Sequence, residues 1–347
     1  MYLCNNQHMV NGSKRGVLTP RKRKGNKMEI GSFIELQLPG GHEYYQGKDV
    51  LRLNTGRAAI WHAFRLTGKE TLWLPYYLCD SVRNYLKSKG VKLKYYHITP
   101  TLEPSADLQP KKDDAILLVN YFGIRSYAQM AALMRGYDNP TIIDNSQAFF
   151  CPPVRGAYNI YSCRKFIGVP DGAYVIGDDA ERFSEEYEQG YSSDTSLFLL
   201  ERIEYGCDEV AYQHKLANDM RLDKEDVRLM SKLSHQILDA TDYKTIIRKR
   251  KKNYDTACEL FGWLNELQVG EISSEESIPM VYPLVMRNDD LPSRLKQIGH
   301  YQGPWWAYLL EEMEENSVEY WLSRYMIPIT IDQRYGAKEL EYIIKHI

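Results

Sequence analysis

With 347 residues, 44% hydrophobic and 26% charged, the chain has a globular composition that excludes wholesale disorder, collagen and coiled coil. No apolar run approaches the ~20 residues of a membrane span, since the best, Ala115–Val119, is only strand-sized. The net charge of −2 is unevenly placed: residues 1–27 hold seven basic side chains and no acid, which leaves the remainder with 37 basic against 46 acidic residues, a balance that argues against nucleic-acid binding by the folded body.

Residues 1–27 (Lys14, Arg15, Arg21, Lys22, Arg23, Lys24 and Lys27 among them) show no apolar period and read as a basic, disordered tail. A localisation or nucleic-acid patch is the alternative for such a run. The tail lacks the apolar stretch of a secretory signal, and Met28 opens the first segment of folded character, MEIGSFIELQLP. Six cysteines (4, 79, 151, 163, 207 and 258) form no CxxC or CxxH pair and read as reduced thiols of a cytoplasmic protein.

From there short β-rich runs alternate with segments of helical period. Asp49–Leu53 is a predicted strand and Gly56–Arg65 a helix, then Leu72–Leu74 a strand and Asp80–Lys89 a helix. Leu93–His97 and Ala115–Tyr121 are strands, Tyr127–Arg135 a helix, and Thr141–Asp144 a further strand. Such alternation predicts βαβ units and a mainly parallel sheet covered on both faces. Beyond Tyr187 the pattern turns helical, over Thr195–Glu204 and Lys224–Leu264. The last stretch mixes a strand, Met280–Met286, with helices at Leu291–Gly299, Ser317–Tyr325 and Ala337–Ile347. The expected organisation is a large α/β domain over 28–240 and a smaller α+β domain over 241–347.

No GxGxxG follows a strand, and there is no GxxxxGK[ST], HExxH or GxSxG, so dehydrogenase, NTPase, zincin and hydrolase signatures are missing. No pair of histidines has metal-ligand spacing. Three elements remain. Asn54-Thr55-Gly56-Arg57 lies between a strand and a helix start, where backbone N–H groups and the helix dipole suit a phosphate. The same residues also make an ordinary N-cap with no ligand. Asp144 ends an apolar strand, where open α/β sheets bind ligands, or it caps the next turn. Lys165 follows Tyr161-Ser162-Cys163-Arg164 and precedes Phe166-Ile167-Gly168-Val169. Desolvation there, with Arg164 alongside, would lower its amine pKa as a carbonyl-condensing lysine requires; a surface lysine flanking a loop is the plainer reading. A phosphate anchor, a strand-end acid and a later lysine are together what pyridoxal 5′-phosphate (PLP) needs.

At these residues the chain resembles the DegT-like sugar aminotransferase family, a branch of the fold-type I PLP enzymes, from about Gly31 to the C-terminus. Asn54–Ile60 (NTGRAAI) is similar to the family's SGT-A-L helix start, Leu74–Tyr77 (LPYY) to its VPSFT strand end and Val119–Gly123 (VNYFG) to its VHLYG segment. Ile143–Ala148 (IDNSQA) resembles its DAAQA motif, and Lys165 precedes Gly172 as the family lysine precedes GG-A-V. Arg248–Tyr254 (RKRKKNY) resembles the arginine-rich opening of the small domain, and Ile327–Tyr335 (IPITIDQRY) the LPID-RY signature.

The resemblance implies a PLP-transferase (aspartate aminotransferase-like) fold and a homodimer that moves an amino group from an amino acid donor to a keto acceptor, perhaps a nucleotide-keto-sugar. It implies that Lys165 joins the cofactor aldehyde and shuttles the proton, that Asp144 pairs with the pyridine nitrogen, and that Gln147 bonds near the phenolic oxygen. Thr55, Gly56, Arg57 and Ser162 would hold the phosphate, and Tyr77, in preference to Tyr76, would stack on the ring. Two features depart from the pattern. The family serine five residues before the lysine is Ile160 here, with Ser162 three before. The Gly-x-Asn-x-Arg segment has only Arg228–Ser231 as its nearest counterpart. A PLP enzyme of elimination or dehydration chemistry, and a non-catalytic binding protein of the same fold, are the alternatives.

Overall fold

The computed structural model describes residues 30–347 other than Ser32. The basic tail expected over 1–27, and the start suggested at Met28, lie outside the described residues. The elements run β1 (Val50–Leu53), α1 (Gly56–Thr67), β2 (Thr71–Pro75), α2 (Asp80–Ser88), β3 (Lys92–Tyr96), β4 (Asp114–Val119), α3 (Tyr127–Met134), β5 (Thr141–Asp144), β6 (Tyr158–Ser162) and β7 (Ala173–Ile176). There follow α4 (Leu197–Glu204), α5 (Glu209–Lys224), α6 (Lys232–Asp239), α7 (Tyr243–Phe261), α8 (Val269–Ile272), β8 (Val281–Val285), α9 (Leu291–Gln297), α10 (Leu309–Glu312), α11 (Val318–Tyr325), β9 (Met326–Thr330) and α12 (Ala337–Ile344).

Seven strands form one sheet in the order β1-β7-β6-β5-β4-β2-β3. β3, β2, β4, β5 and β6 are mutually parallel, and β7 runs antiparallel to both of its neighbours, β6 and β1. The mainly parallel sheet expected from the alternation is therefore present. Its central strands read as unbroken apolar runs because both faces are covered: every residue of β4 (DAILLV) and β5 (TIID) is buried. Helix α1 begins where Thr55 turns its hydroxyl back to Ala58 N–H and ends at Gly68, in the left-handed region at φ 65°. It packs against β1, β5, β6 and β7.

Two expectations need correction. Lys224–Leu264 is not one helical stretch. Its first residue ends α5, residues 225–230 are not helical, and α6 and α7 follow. The reason is a non-local pairing: Asn54 N–H donates to Arg228 C=O and Met230 N–H to Arg52 C=O, so Arg228–Met230 lies along the open edge of β1. The Ile327–Tyr335 segment, read only as a motif, contains β9, which pairs antiparallel with β8 through Pro283 and Pro328. α7 packs on β8 and on α12, and α11 packs on β9. Among the described residues no helix is long and apolar enough to cross a membrane.

Candidate active site

Because β2, β4, β5 and β6 are parallel, the residues that follow each of them leave the same edge of the sheet. Pro75–Tyr77, Val119–Phe122, Asp144–Gln147 and Ser162–Lys165 emerge there, and the start of α1 comes against them. A cleft of about 410 Å³ lined by Thr67, Pro140, Tyr158 and Asp178 opens at the other end of the strands and contains none of these residues.

Gly56 is the first residue of α1. A Cβ placed on it would meet Ser146 Oγ at 3.4 Å and Ser162 Cβ at 4.0 Å, so the helix start, the exit of β5 and the exit of β6 converge on one point. Thr55 Oγ1 accepts from Ala58 N–H at 3.3 Å, and Thr55 C=O from Ala59 N–H at 3.0 Å. Thr55 is thus a cap, and the Gly56 and Arg57 N–H groups are left as the outward donors of the first turn. The Arg57 guanidinium does not face this point. It pairs with Asp223 at 2.8 Å, donates to Leu222 C=O and lies over the Tyr85 ring. Of the phosphate ligands implied by the sequence, Thr55, Gly56 and Ser162 come together, while the Arg57 side chain is turned toward α5.

Asp144 is buried at the last position of β5, between Val119 of β4 and Ile160 of β6. Its Oδ1 accepts from Ser146 N–H at 2.8 Å. Gln147 is buried with Oε1 accepting from Phe122 N–H at 2.6 Å, which leaves its amide N–H groups as donors. Carboxylate, hydroxyl and amide therefore leave a single turn, of which the sequence reading had overlooked only Ser146.

Lys165 closes a one-turn 3₁₀ helix, Cys163–Lys165, directly after β6. The expectation that Phe166, Ile167 and Val169 shield it is corrected by the packing. Those three side chains are buried in a separate aromatic core with Phe149, Phe150, Tyr161 and Tyr174, and Lys165 itself is exposed in the single chain. Nor does Arg164 act as a free charge beside it, because its guanidinium pairs with Asp219, which Lys215 also contacts. Beyond the lysine the loop is fastened: Gln333 Nε2 donates to Phe166 C=O at 2.8 Å, and Arg250 Nε donates to Gln333 Oε1 at 3.0 Å. Arg250 also lies over the Phe166 ring, and burial lowers its pKa to about 10. At the far end Asp171 accepts from Ser231 N–H and Oγ and from Ser234 Oγ, and Gly172 N–H donates to Asn54 C=O at 2.8 Å.

Tyr77 is fully buried, with its ring edge-on to Trp306 at 4.4 Å and tilted against Tyr121 at 5.5 Å, so in this arrangement it offers no open face for stacking. Its hydroxyl has no hydrogen-bond partner, and burial raises its pKa. Tyr76 stacks on Tyr95 and leans on His97. Of the nearest counterpart to the missing arginine segment, Arg228 pairs with Glu188 at 2.9 Å, and Ser231 caps α6 while holding Asp171.

No protein-family model and no curated protein matches the chain in sequence. Solved structures do match it in fold. The sugar aminotransferase CalS13 from Micromonospora echinospora superposes with a TM-score of 0.60 at 13% identity, over 86% of each chain. A DegT DnrJ EryC1 StrS aminotransferase from Brucella abortus gives 0.56 at 13% identity, over 85% of this chain and 84% of that one. The GDP-4-keto-6-deoxy-D-mannose-3-dehydratase of E. coli, solved with hydrated PLP, gives 0.59 at 15% identity, over 85% and 86%. The fold expected from the sequence is the one these enzymes share.

Proposed function

We propose that the chain is a PLP-dependent aminotransferase that moves an amino group from an amino acid to a keto compound, with a keto-sugar as the acceptor class. The observation that carries this reading is the convergence at Gly56, where one edge of the sheet presents two opposite charge preferences. Helix-start N–H groups and the Ser162 hydroxyl favour an anion, while two residues from Ser146 the buried Asp144 carboxylate favours a protonated nitrogen. A pyridinium carrying a phosphate satisfies both. The space that a Gly56 Cβ would fill is the cradle, so the residues present fit the cofactor.

In this reading Gly56 and Arg57 N–H and Ser162 Oγ bind the phosphate, Asp144 holds the proton on the ring nitrogen, and a Gln147 amide N–H donates to the phenolic oxygen. PLP, when bound, supplies an aldehyde for amines and a conjugated ring that takes up the electron pair left at the substrate Cα. Lys165 Nζ would hold the aldehyde and, as a free amine, would carry the proton from the substrate Cα. The exposure of Lys165 in the single chain is consistent with a site closed by a second copy. We propose a homodimer, supported by exposed apolar side chains on α4 and α5 (Leu200, Ile203, Val210 and Met220), α4 reaching the Lys165 loop through Leu199, 3.7 Å from where a Gly168 Cβ would be. The proposed boundary near residue 240 places these groups in the large domain. Among the described residues five cysteines are free, Cys207 exposed among them, which fits a reducing, cytoplasmic location.

The test is a peptide map of PLP-loaded protein after borohydride reduction. A pyridoxyl label on Lys165 is expected, and a label on another lysine, or none, overturns the reading. The dehydratase among the fold neighbours makes elimination the competing chemistry. Release of a keto acid from an amino donor, one per bound cofactor, supports amino transfer, and its absence from a broad donor panel supports elimination or binding alone.

A further inference from the structure

We propose that Ser146 is a phosphate ligand of this site, contributing a hydroxyl that works with the start of α1 and with Ser162. The inference rests on the PLP reading above and adds a residue to it. Ser146 is 6% exposed and Ser162 7%; Ser146 is bonded through its backbone N–H, and the Ser162 side chain makes no hydrogen bond to the turn it precedes. Each side chain is more than nine-tenths buried while its oxygen is not among the sealed, unpartnered atoms, so each hydroxyl is held in place and still open to a ligand. Both stand at Gly56: Ser146 Oγ lies 3.4 Å, and Ser162 Cβ 4.0 Å, from where a Gly56 Cβ would be. The outward N–H groups of Gly56 and Arg57 face the same space. This is a cage of neutral donors at the positive end of a twelve-residue helix, which suits a phosphate monoester. The guanidinium of Arg57 is held by Asp223 and Leu222 C=O, that of Arg164 by Asp219 and that of Arg228 by Glu188, so the donors left to this point are hydroxyls and backbone N–H groups.

Ser146 is also held in place. Its N–H is bonded to Asp144 Oδ1 at 2.8 Å, which fixes the hydroxyl relative to the carboxylate in one tight turn. The group that binds the anionic end of the ligand and the group that binds its protonated nitrogen are thereby kept at a set separation. A ligand lacking the phosphate gains nothing from Ser146, and that is the lever for the test.

Wild-type, Ser146→Ala and Ser146→Cys full-length proteins are titrated with PLP and with pyridoxal, which lacks the phosphate, following protein fluorescence. Thermal melts without ligand confirm that each variant is folded. A hydrogen bond to a charged oxygen sets the expected loss at about 10-fold to 100-fold for PLP in both variants, with pyridoxal affinity unchanged within about twofold. Equal PLP affinity in wild type and variants overturns the role of Ser146. So does an equal loss for PLP and pyridoxal, or a lowered melt with an unchanged PLP-to-pyridoxal ratio, each of which assigns Ser146 to structure alone. Failure of the wild type to bind PLP overturns the functional reading itself, and is distinguished because it is seen before any variant is compared.

Discussion

Asp144 accepts the Ser146 N–H through one carboxylate oxygen, and an asparagine there would keep that bond because its Oδ1 accepts equally well. What asparagine lacks is the charge that holds a proton on a ring nitrogen. Asp144→Asn is therefore expected to fold, to bind PLP, and to lose turnover by about 10²-fold or more, the scale of a displaced proton-transfer group. Steady-state kinetics beside a cofactor titration checks this; native turnover would remove Asp144 from its role. His62, fully buried in α1, is held for a different purpose. Its ring nitrogens meet Tyr187 Oη at 2.7 Å and Ala180 C=O at 2.8 Å, and burial drives its pKa down to about 4. The unfolded chain takes up a proton at this residue below about pH 6.5, while the folded chain resists until about 4. Stability tied to His62 is thus complete above pH 6.5 and falls as pH drops toward 4, by about 3 kcal/mol at most. In His62→Asn, urea melts at pH 7, 5.5 and 4.5 should show lower stability at pH 7 and a shallower acid limb. An unchanged slope would assign the acid sensitivity to other groups.

At the scale of elements, the candidate site depends on a segment far away in sequence. Asn54 donates from Nδ2 to Asp226 C=O at 2.9 Å and accepts at Oδ1 from Arg228 N–H at 3.3 Å, while its own backbone joins Arg228 and Gly172. Asp226 is pinned in turn by Tyr85 of α2 and by Lys89, the residue that follows that helix. Asn54 is buried and adjoins the Thr55 cap, so Asn54→Ala leaves two backbone groups of the 226–228 segment without partners. A cost of about 2 kcal/mol is expected, read as a shift in the urea midpoint, with local hydrogen exchange rising at Asp226–Met230. Protection at those amides equal to wild type would show that the edge of β1 is held by other contacts. This dependence also explains what could be read from the sequence. β4, β5 and the Asp144 turn were legible because burial on both faces writes a continuous apolar run. The α1 start was legible because capping is local. Arg228–Met230 was not, since its extended form comes from pairing with Arg52–Asn54, and the stretch beyond it has helical period. The burial of Tyr77 was equally hidden, because its cover, Trp306, arrives from 229 residues further along the chain.

Over the whole molecule, α10 and α11 are fastened to the β2–β3 edge of the large sheet by two carboxylates in unlike surroundings. Glu312 meets Arg83 through paired bonds of 2.8 and 2.9 Å, and that partner holds its pKa below the usual range, yet its side chain is 44% exposed. Glu319 is 1% exposed, accepts from Ile98 N–H at 2.7 Å and faces His97 Nδ1 at 3.1 Å. Water can replace Arg83 at Glu312, whereas nothing replaces Glu319 at Ile98, so burial outweighs the better geometry of the arginine pair. Glu312→Gln should cost about 0.5 kcal/mol and Glu319→Ala about 2–3 kcal/mol. Glu319→Gln, which retains an acceptor for Ile98 N–H, should fall between them. Tyr308 adds a third fastening by donating to Leu78 C=O, two residues from Tyr76 at the candidate site. Loosening Glu319 is therefore expected to reach the site as well as the global melt. Trp305 and Trp306, packed on Phe122 and Tyr77, supply the readout: their emission should shift to the red in Glu319→Ala before the main unfolding transition. A single transition with native emission up to the midpoint would show that these helices and the sheet come apart only together.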